Sequence, residues 1–148
     1  MVNRPRNIGT AGESAVVKIL QTHGWPHAER RQLRGHLDCG DITGTPGVVW
    51  EIKAGAKARN ASDLQTAVWL KQTERERQNA NADIGVLVMV RKGIGAPNAG
   101  RWWAAVTMHT LAQLMPAFLP PPQPSSAVLM HLTTMCHLLN RAGYGDPR

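Results

Sequence analysis

The chain has 148 residues and a formal net charge of +7 at pH 7. This length suits one domain with a real core, and no apolar run approaches the roughly 20 residues of a membrane span. The basic charge favours a polyanionic partner, either nucleic acid or an anionic surface. Cys39 and Cys136 have neither disulfide nor zinc-ligand spacing, so we expect neither kind of site.

The N-terminal third predicts a helix followed by strands. Thr10 and Glu13 have the spacing of a capping box, and apolar residues follow at helical spacing until Gly24, which indicates a helix from about 10 to 23. A strand over about 26–33 and a basic loop at 34–36 come next. Glu13 has two interpretations, a helix cap or a carboxylate that faces the core.

A tight hairpin is predicted around the Thr-Gly-Thr-Pro-Gly turn at 43–47. The strand after it alternates, so Glu51 and Lys53 project from one face. If the chain folds back about this turn, Asp41 lies across from Trp50 or Glu51. Two carboxylates and one ammonium then meet at a single point, which is what metal-assisted phosphodiester cleavage needs.

Carboxylate oxygens are hard ligands suited to Mg²⁺, and Mn²⁺ is expected to substitute. Asp41 and Glu51 are the primary candidate ligands, with the backbone carbonyl of Ile52 as a third. Asp38 is an alternative to Asp41, although it needs a longer hairpin. Lys53 either orients or deprotonates the attacking water or stabilises negative charge, and the sequence leaves these roles open.

The rest of the chain predicts a second helix over about 62–80, a central strand at 84–90, a loop at 91–100, a strand at 102–107 and a short helix at 109–115. This order indicates a mixed sheet flanked by helices, and we therefore expect a compact domain over 1–119, a proline-rich linker at 120–126 and a helical appendage at 127–148. The apolar helix in that appendage needs a cover, either the domain's own surface or a second copy of the chain.

Basic residues flank the acidic hairpin on both sides, and they are candidate DNA contacts. Each of them is equally compatible with an ordinary solvated surface. The candidates are Arg30, Arg31, Arg34, His36, Lys57 and Arg59.

Several motifs in this order resemble the PD-(D/E)XK nuclease superfamily, and within it the archaeal-type Holliday-junction resolvases and their phage relatives. They are Gly-Thr-Ala-Gly-Glu at 9–13, Gly-Asp-Ile at 40–42, Val-Trp-Glu-Ile-Lys at 49–53 and Gln72 in the following helix. The likeness covers about residues 8–115. In one position the chain departs from the pattern, because Gly40 stands where the superfamily has proline.

The resemblance implies a restriction-endonuclease-like core, a mixed sheet flanked by helices in the rough order αβββαββα. It also implies a Mg²⁺-dependent homodimer of the cytoplasm, in a bacterial cell or a phage-infected host, that makes paired nicks in branched DNA. Glu13 would then join Asp41 and Glu51 near the metal, Lys53 would complete the site and Gln72 would be auxiliary. Two alternatives are a nicking, restriction-like or end-processing nuclease, and a DNA-binding module without catalysis.

Overall fold

The computed structural model describes residues 4–32, 37–115 and 126–146, and helices cover both faces of its main sheet. The predicted fold class, a mixed sheet flanked by helices, is confirmed. The elements are α1 (Arg4–Gln21), β1 (Glu29–Arg30), β2 (Ile42–Thr43), β3 (Val48–Lys53), α2 (Ala56–Arg59), α3 (Asp63–Asn79), β4 (Ile84–Met89), a 3-10 helix (Ala96–Arg101), β5 (Trp103–Thr107), α4 (Met108–Leu114), β6 (Ala127–His131) and α5 (Leu132–Arg141).

Four strands form the main sheet in the order β3-β4-β5-β6, and β1 pairs with β2 in a separate antiparallel ribbon. β3 and β4 are parallel, with Glu51 opposite Leu87, whereas the other two neighbouring pairs of the main sheet are antiparallel. Parallel neighbours need a long crossover connection, and α3 supplies it here. The crossover lays α3 beside the strand that carries Glu51 and Lys53.

The alternation of β3 separates two apolar layers. Trp50 and Ile52 belong to the larger core, into which α1 and α5 also pack. On the other face, Leu70 of α3 packs with Leu87 and Met89 of β4. Every residue of β4 is buried, as expected of a strand with a neighbour on each side and helices on both faces.

The first helix begins at Arg4 and not near residue 10, so the predicted capping box is wrong. Thr10 and Glu13 lie inside α1, where the backbone N–H groups already have partners within the helix. The Thr10 hydroxyl instead accepts a hydrogen bond from the Arg30 guanidinium at 3.2 Å. The carboxylate of Glu13 is therefore available for a contact outside its own helix.

The predicted helical appendage needs a correction, because residues 127–131 are the strand β6. β6 pairs with β5 along its whole length, which satisfies backbone groups that a separate appendage would leave to water. In α5, Leu132, Met135, Cys136 and Leu139 are buried in the larger core. The chain's own core thus covers the apolar face for which a second copy was the alternative. The predicted linker at 120–126 lies outside the described residues except for Ser126.

Among the described residues, no helix is both long enough and apolar enough to cross a membrane.

Candidate active site

Asp41 is held against β3 by backbone hydrogen bonds on both of its sides. Its N–H donates to the Trp50 carbonyl at 2.8 Å, and its carbonyl accepts from the Arg31 N–H at 2.8 Å. Its side-chain Oδ2 accepts from the Ile52 N–H at 2.8 Å. Asp41 thus lies across from Trp50, as predicted, but the predicted hairpin of two paired strands is wrong, because β2 pairs with β1 and β3 pairs with β4.

Gly40 makes this close approach to β3 feasible. Its φ is +91°, and an added Cβ would lie 2.9 Å from the Trp50 carbonyl oxygen and 2.7 Å from Val49 Cγ1. Proline has φ fixed near −65° and cannot adopt this conformation. The departure from the superfamily pattern therefore has a local geometric reason.

Glu51 projects from β3 toward α3, and only 5% of its surface is exposed. Its Oε1 forms an ion pair with Lys53 Nζ at 3.0 Å and lies 3.5 Å from Gln72 Nε2. Its Oε2 is buried and accepts no hydrogen bond from any residue that the structure describes. Lys53 Nζ in turn lies 5.8 Å from the centre of the Trp69 ring, so the ammonium group sits between a carboxylate and an aromatic face.

Glu76 of α3 also lies beside Glu51, and the sequence patterns did not predict it as a site residue. Only 2% of its surface is exposed, and its Oε1 accepts from Gln72 Nε2 at 3.0 Å. Asp38, Glu51 and Glu76 each offer a carboxylate oxygen, and these oxygens lie within 4.8 Å of one another. The signal that could have revealed Glu76 is its spacing of four residues from Gln72, which puts both on one face of the helix.

The crowding of carboxyl groups raises two pKa values. Burial and then the charge of Glu51 raise the pKa of Asp41 to about 7, partly offset by the hydrogen bond from Ile52. Burial and then the neighbouring Glu51 and Asp38 raise the pKa of Glu76 to about 9. Burial is the largest cause of both shifts, and repulsion from the neighbouring carboxyl groups raises each pKa further. A cation would relieve this repulsion.

Glu13 contributes to the same negative field, and its charge is among the causes that raise the pKa of Asp41. Its own carboxylate, however, forms an ion pair with Arg30 Nε at 2.9 Å. Arg30 was a candidate DNA contact and Glu13 a candidate metal ligand. The structure instead pairs these two side chains with each other beside Asp41.

The remaining candidate DNA contacts are placed in part. Arg31 is exposed next to β1, and Lys57 and Arg59 are exposed on α2, which follows β3 directly. In the sequence, these three residues lie on either side of Asp41 and Glu51. Arg34 and His36 lie outside the described residues.

The donor set fits a hard divalent cation. Asp41 and Glu51 supply carboxylate oxygens and Ile52 a backbone carbonyl, which are the ligand types that Mg²⁺ takes in proteins. The buried Glu51 Oε2, which receives no hydrogen bond, is the observation that favours such a ligand, because a buried charged oxygen without a partner is costly. The residues present therefore fit a Mg²⁺ or Mn²⁺ site.

Comparisons of the chain with protein-family models, curated proteins and solved structures found no match.

Proposed function

We propose that this protein is a Mg²⁺-dependent endodeoxyribonuclease that hydrolyses phosphodiester bonds. The observation that carries the proposal is the meeting of three side chains at one end of β3. Asp41 is bound to the Ile52 N–H, Glu51 is paired with Lys53 at 3.0 Å, and Glu51 Oε2 has no donor. Carboxylates next to an ammonium group, on a strongly basic chain, suit hydrolysis of a polyanion.

Each residue has a role in this proposal. Asp41, Glu51 and the Ile52 carbonyl hold the cation, which when bound supplies Lewis-acid stabilisation of the charge that develops on the phosphate. Lys53 adds a positive charge at the edge of the same carboxylates. Gln72 donates to the carboxyl groups of Glu51 and Glu76 and so fixes the orientation of both.

Exposed basic residues on each side of the site support DNA as the substrate. Arg31 precedes the acidic group, and Lys57 and Arg59 follow Lys53 within six residues of chain. Such residues hold the phosphate backbone and position it over the carboxylates. Resolution of four-way junctions by paired nicks, by two copies of the chain, is the specific activity that the order of the motifs favours.

Incubation with four-way junction, flap, nicked duplex and linear duplex DNA, in Mg²⁺ or EDTA, tests this proposal. We expect symmetric nicks in the junction that depend on Mg²⁺. Equal cutting of linear duplex would favour another kind of nuclease. Binding of all four DNAs without any cutting would favour a DNA-binding module and contradict the proposal.

Two substitutions test the site assignment. Asp41→Asn and Lys53→Ala should lower the cleavage rate by at least roughly a thousandfold, because each removes a group from the reacting centre. Gel-shift binding in Ca²⁺ should change little. Asp63→Asn and Lys71→Ala remove the same charges from exposed positions on α3 and serve as matched controls. Full activity of either site variant would refute the assignment.

A further inference from the structure

Three carboxyl groups from separate parts of the chain converge beside α3. Asp38 precedes β2, Glu51 lies on β3 and Glu76 on α3, and each offers an oxygen within 4.8 Å of those of the other two. The group does not include Asp41, whose Oδ2 is occupied by the Ile52 N–H. Asp38, Glu51 and Glu76 therefore form a cluster separate from the pair of Asp41 and Glu51, on the side of Glu51 that faces α3.

Two of these carboxyl groups have a buried oxygen that receives no hydrogen bond. Gln72 Nε2 lies 3.0 Å from Glu76 Oε1 and 3.5 Å from Glu51 Oε1. Oε2 of Glu76 and Oε2 of Glu51 accept no hydrogen bond from the part of the chain that the structure describes. Only 2% of the surface of Glu76 and 5% of the surface of Glu51 are exposed. Two nearby buried carboxylate oxygens are costly unless a proton, which the raised pKa of Glu76 retains, or a bound cation lies between them.

Asp38 is positioned from both sides and stays open to solvent. Its Oδ1 accepts from the Gly40 N–H at 3.1 Å, and its carbonyl accepts from Asn79 Nδ2 at 3.0 Å. Asn79 lies one turn beyond Glu76 on α3, so the same helix face supports Asp38 and supplies the buried carboxyl group. The exposed side chain of Asp38 gives a cation a path from solvent to Glu76.

We infer that Asp38, Glu51 and Glu76 form a second divalent-cation site, which shares Glu51 with the Asp41 and Ile52 set. A site built from carboxylates alone suits hard cations such as Mg²⁺ and Mn²⁺. The inference deepens the proposed nuclease function and rests on it for the first cation. The second site itself requires only the three carboxyl groups.

Calorimetric titration of the EDTA-treated chain with Mn²⁺, in the absence of DNA, counts the sites. The wild-type chain should bind two ions, and Glu76→Gln should retain one and weaken the other by roughly tenfold or more. Gln at this position still accepts from Gln72 through its amide oxygen, but it cannot supply a carboxylate to the cation. Glu74→Gln is the matched control on the same helix, because the Glu74 carboxylate is paired with Arg77 at 3.0 Å.

Asp38→Asn provides a second test if Glu76→Gln does not fold, since the exposed Asp38 side chain contributes little to the core. It should weaken the same Mn²⁺ site. Unchanged Mn²⁺ number and affinity in both variants would overturn the inference, as would a single wild-type site that Asp41→Asn abolishes. Failure of the proposed function looks different, since Mn²⁺ binding that depends on Glu76 would then persist in a chain that cuts no DNA.

Discussion

At the scale of single residues, Asp41 depends on the backbone around it. Three hydrogen bonds tie it to Arg31, Trp50 and Ile52. Gly40 permits them, because its positive φ turns the chain toward β3 where a side chain would collide with the Trp50 carbonyl. A glycine one position before the acidic residue is thus a structural requirement of this loop.

Gly40→Ala should destabilise the protein by about 2 to 4 kcal/mol, since it adds a collision to the left-handed strain of about 1 to 2 kcal/mol. Gly93→Ala is the control, because Gly93 has φ +78° but nothing within 4 Å of an added Cβ. Gly93→Ala should lose only the stability that corresponds to the left-handed strain. Urea unfolding of the two variants measures the difference, and equal losses would show that contact with β3 does not constrain Gly40.

At the scale of elements, α3 and α5 do more than cover the sheet. α3 aligns Trp69, Gln72, Glu76 and Asn79 along the face that lies beside β3 and the loop before β2. α5 fills the opposite core with an apolar stripe that continues directly from β6. One helix therefore supplies polar groups to the site, and the other stabilises the sheet that carries it.

Leu139→Ala tests the role of α5 in the core. Leu139 is completely buried, so we expect a loss of about 2 to 5 kcal/mol from the cavity that remains. His137→Ala, at an exposed position of the same helix, should change stability by less than about 0.5 kcal/mol. Thermal or urea unfolding compares them. A small effect of Leu139→Ala would show that the C-terminal segment is an appendage after all.

At the scale of the whole molecule, the two ends of α1 lie in different parts of the structure. Gly12 of α1 lies close to Ile52 and Ala54, at the end of β3 where the carboxyl groups are. The C-terminal end of α1 lies near the end of α5, where Asn140 Nδ2 donates to the His23 carbonyl at 2.9 Å. Under the proposed function, basic residues near the first end would contact DNA, and those at the second end, far along the helix, would not.

The affinity for DNA should therefore fall steeply with salt, and the residues of α2 should contribute to that dependence. Removing Lys57 and Arg59 together should reduce the slope of log K against log salt by about 2, one unit for each phosphate contact. Arg141→Ala, at the far end of α5, should leave the slope unchanged. Fluorescence anisotropy over a range of salt concentrations measures this. An equal effect of Arg141→Ala would indicate binding by net charge alone.

The sequence alone was sufficient for the parts of the site that are local. Glu51 and Lys53 lie two residues apart on an alternating strand, so the period predicts that they share a face. The turn at 43–47 returns the chain so that Asp41 lies across from Trp50, as the glycines and proline of the turn predict. The buried run of β4 and the Ser62 cap of α3 were predictable for the same reason. The mixed sheet followed from the order of these elements.

Only the tertiary structure shows which residues from distant parts of the sequence contact these local site residues. Glu76 reaches Glu51 because α3 crosses back over β3, and no local pattern states which face of a polar helix will pack there. The strand β6 was missed because its partner β5 is separated from it by residues 108–126. Local patterns thus predicted Asp41, Glu51 and Lys53 around the turn at 43–47. Packing over long sequence separation determined the additional carboxyl groups and the place of β6 and α5 in the fold, because their partners lie far away in the sequence.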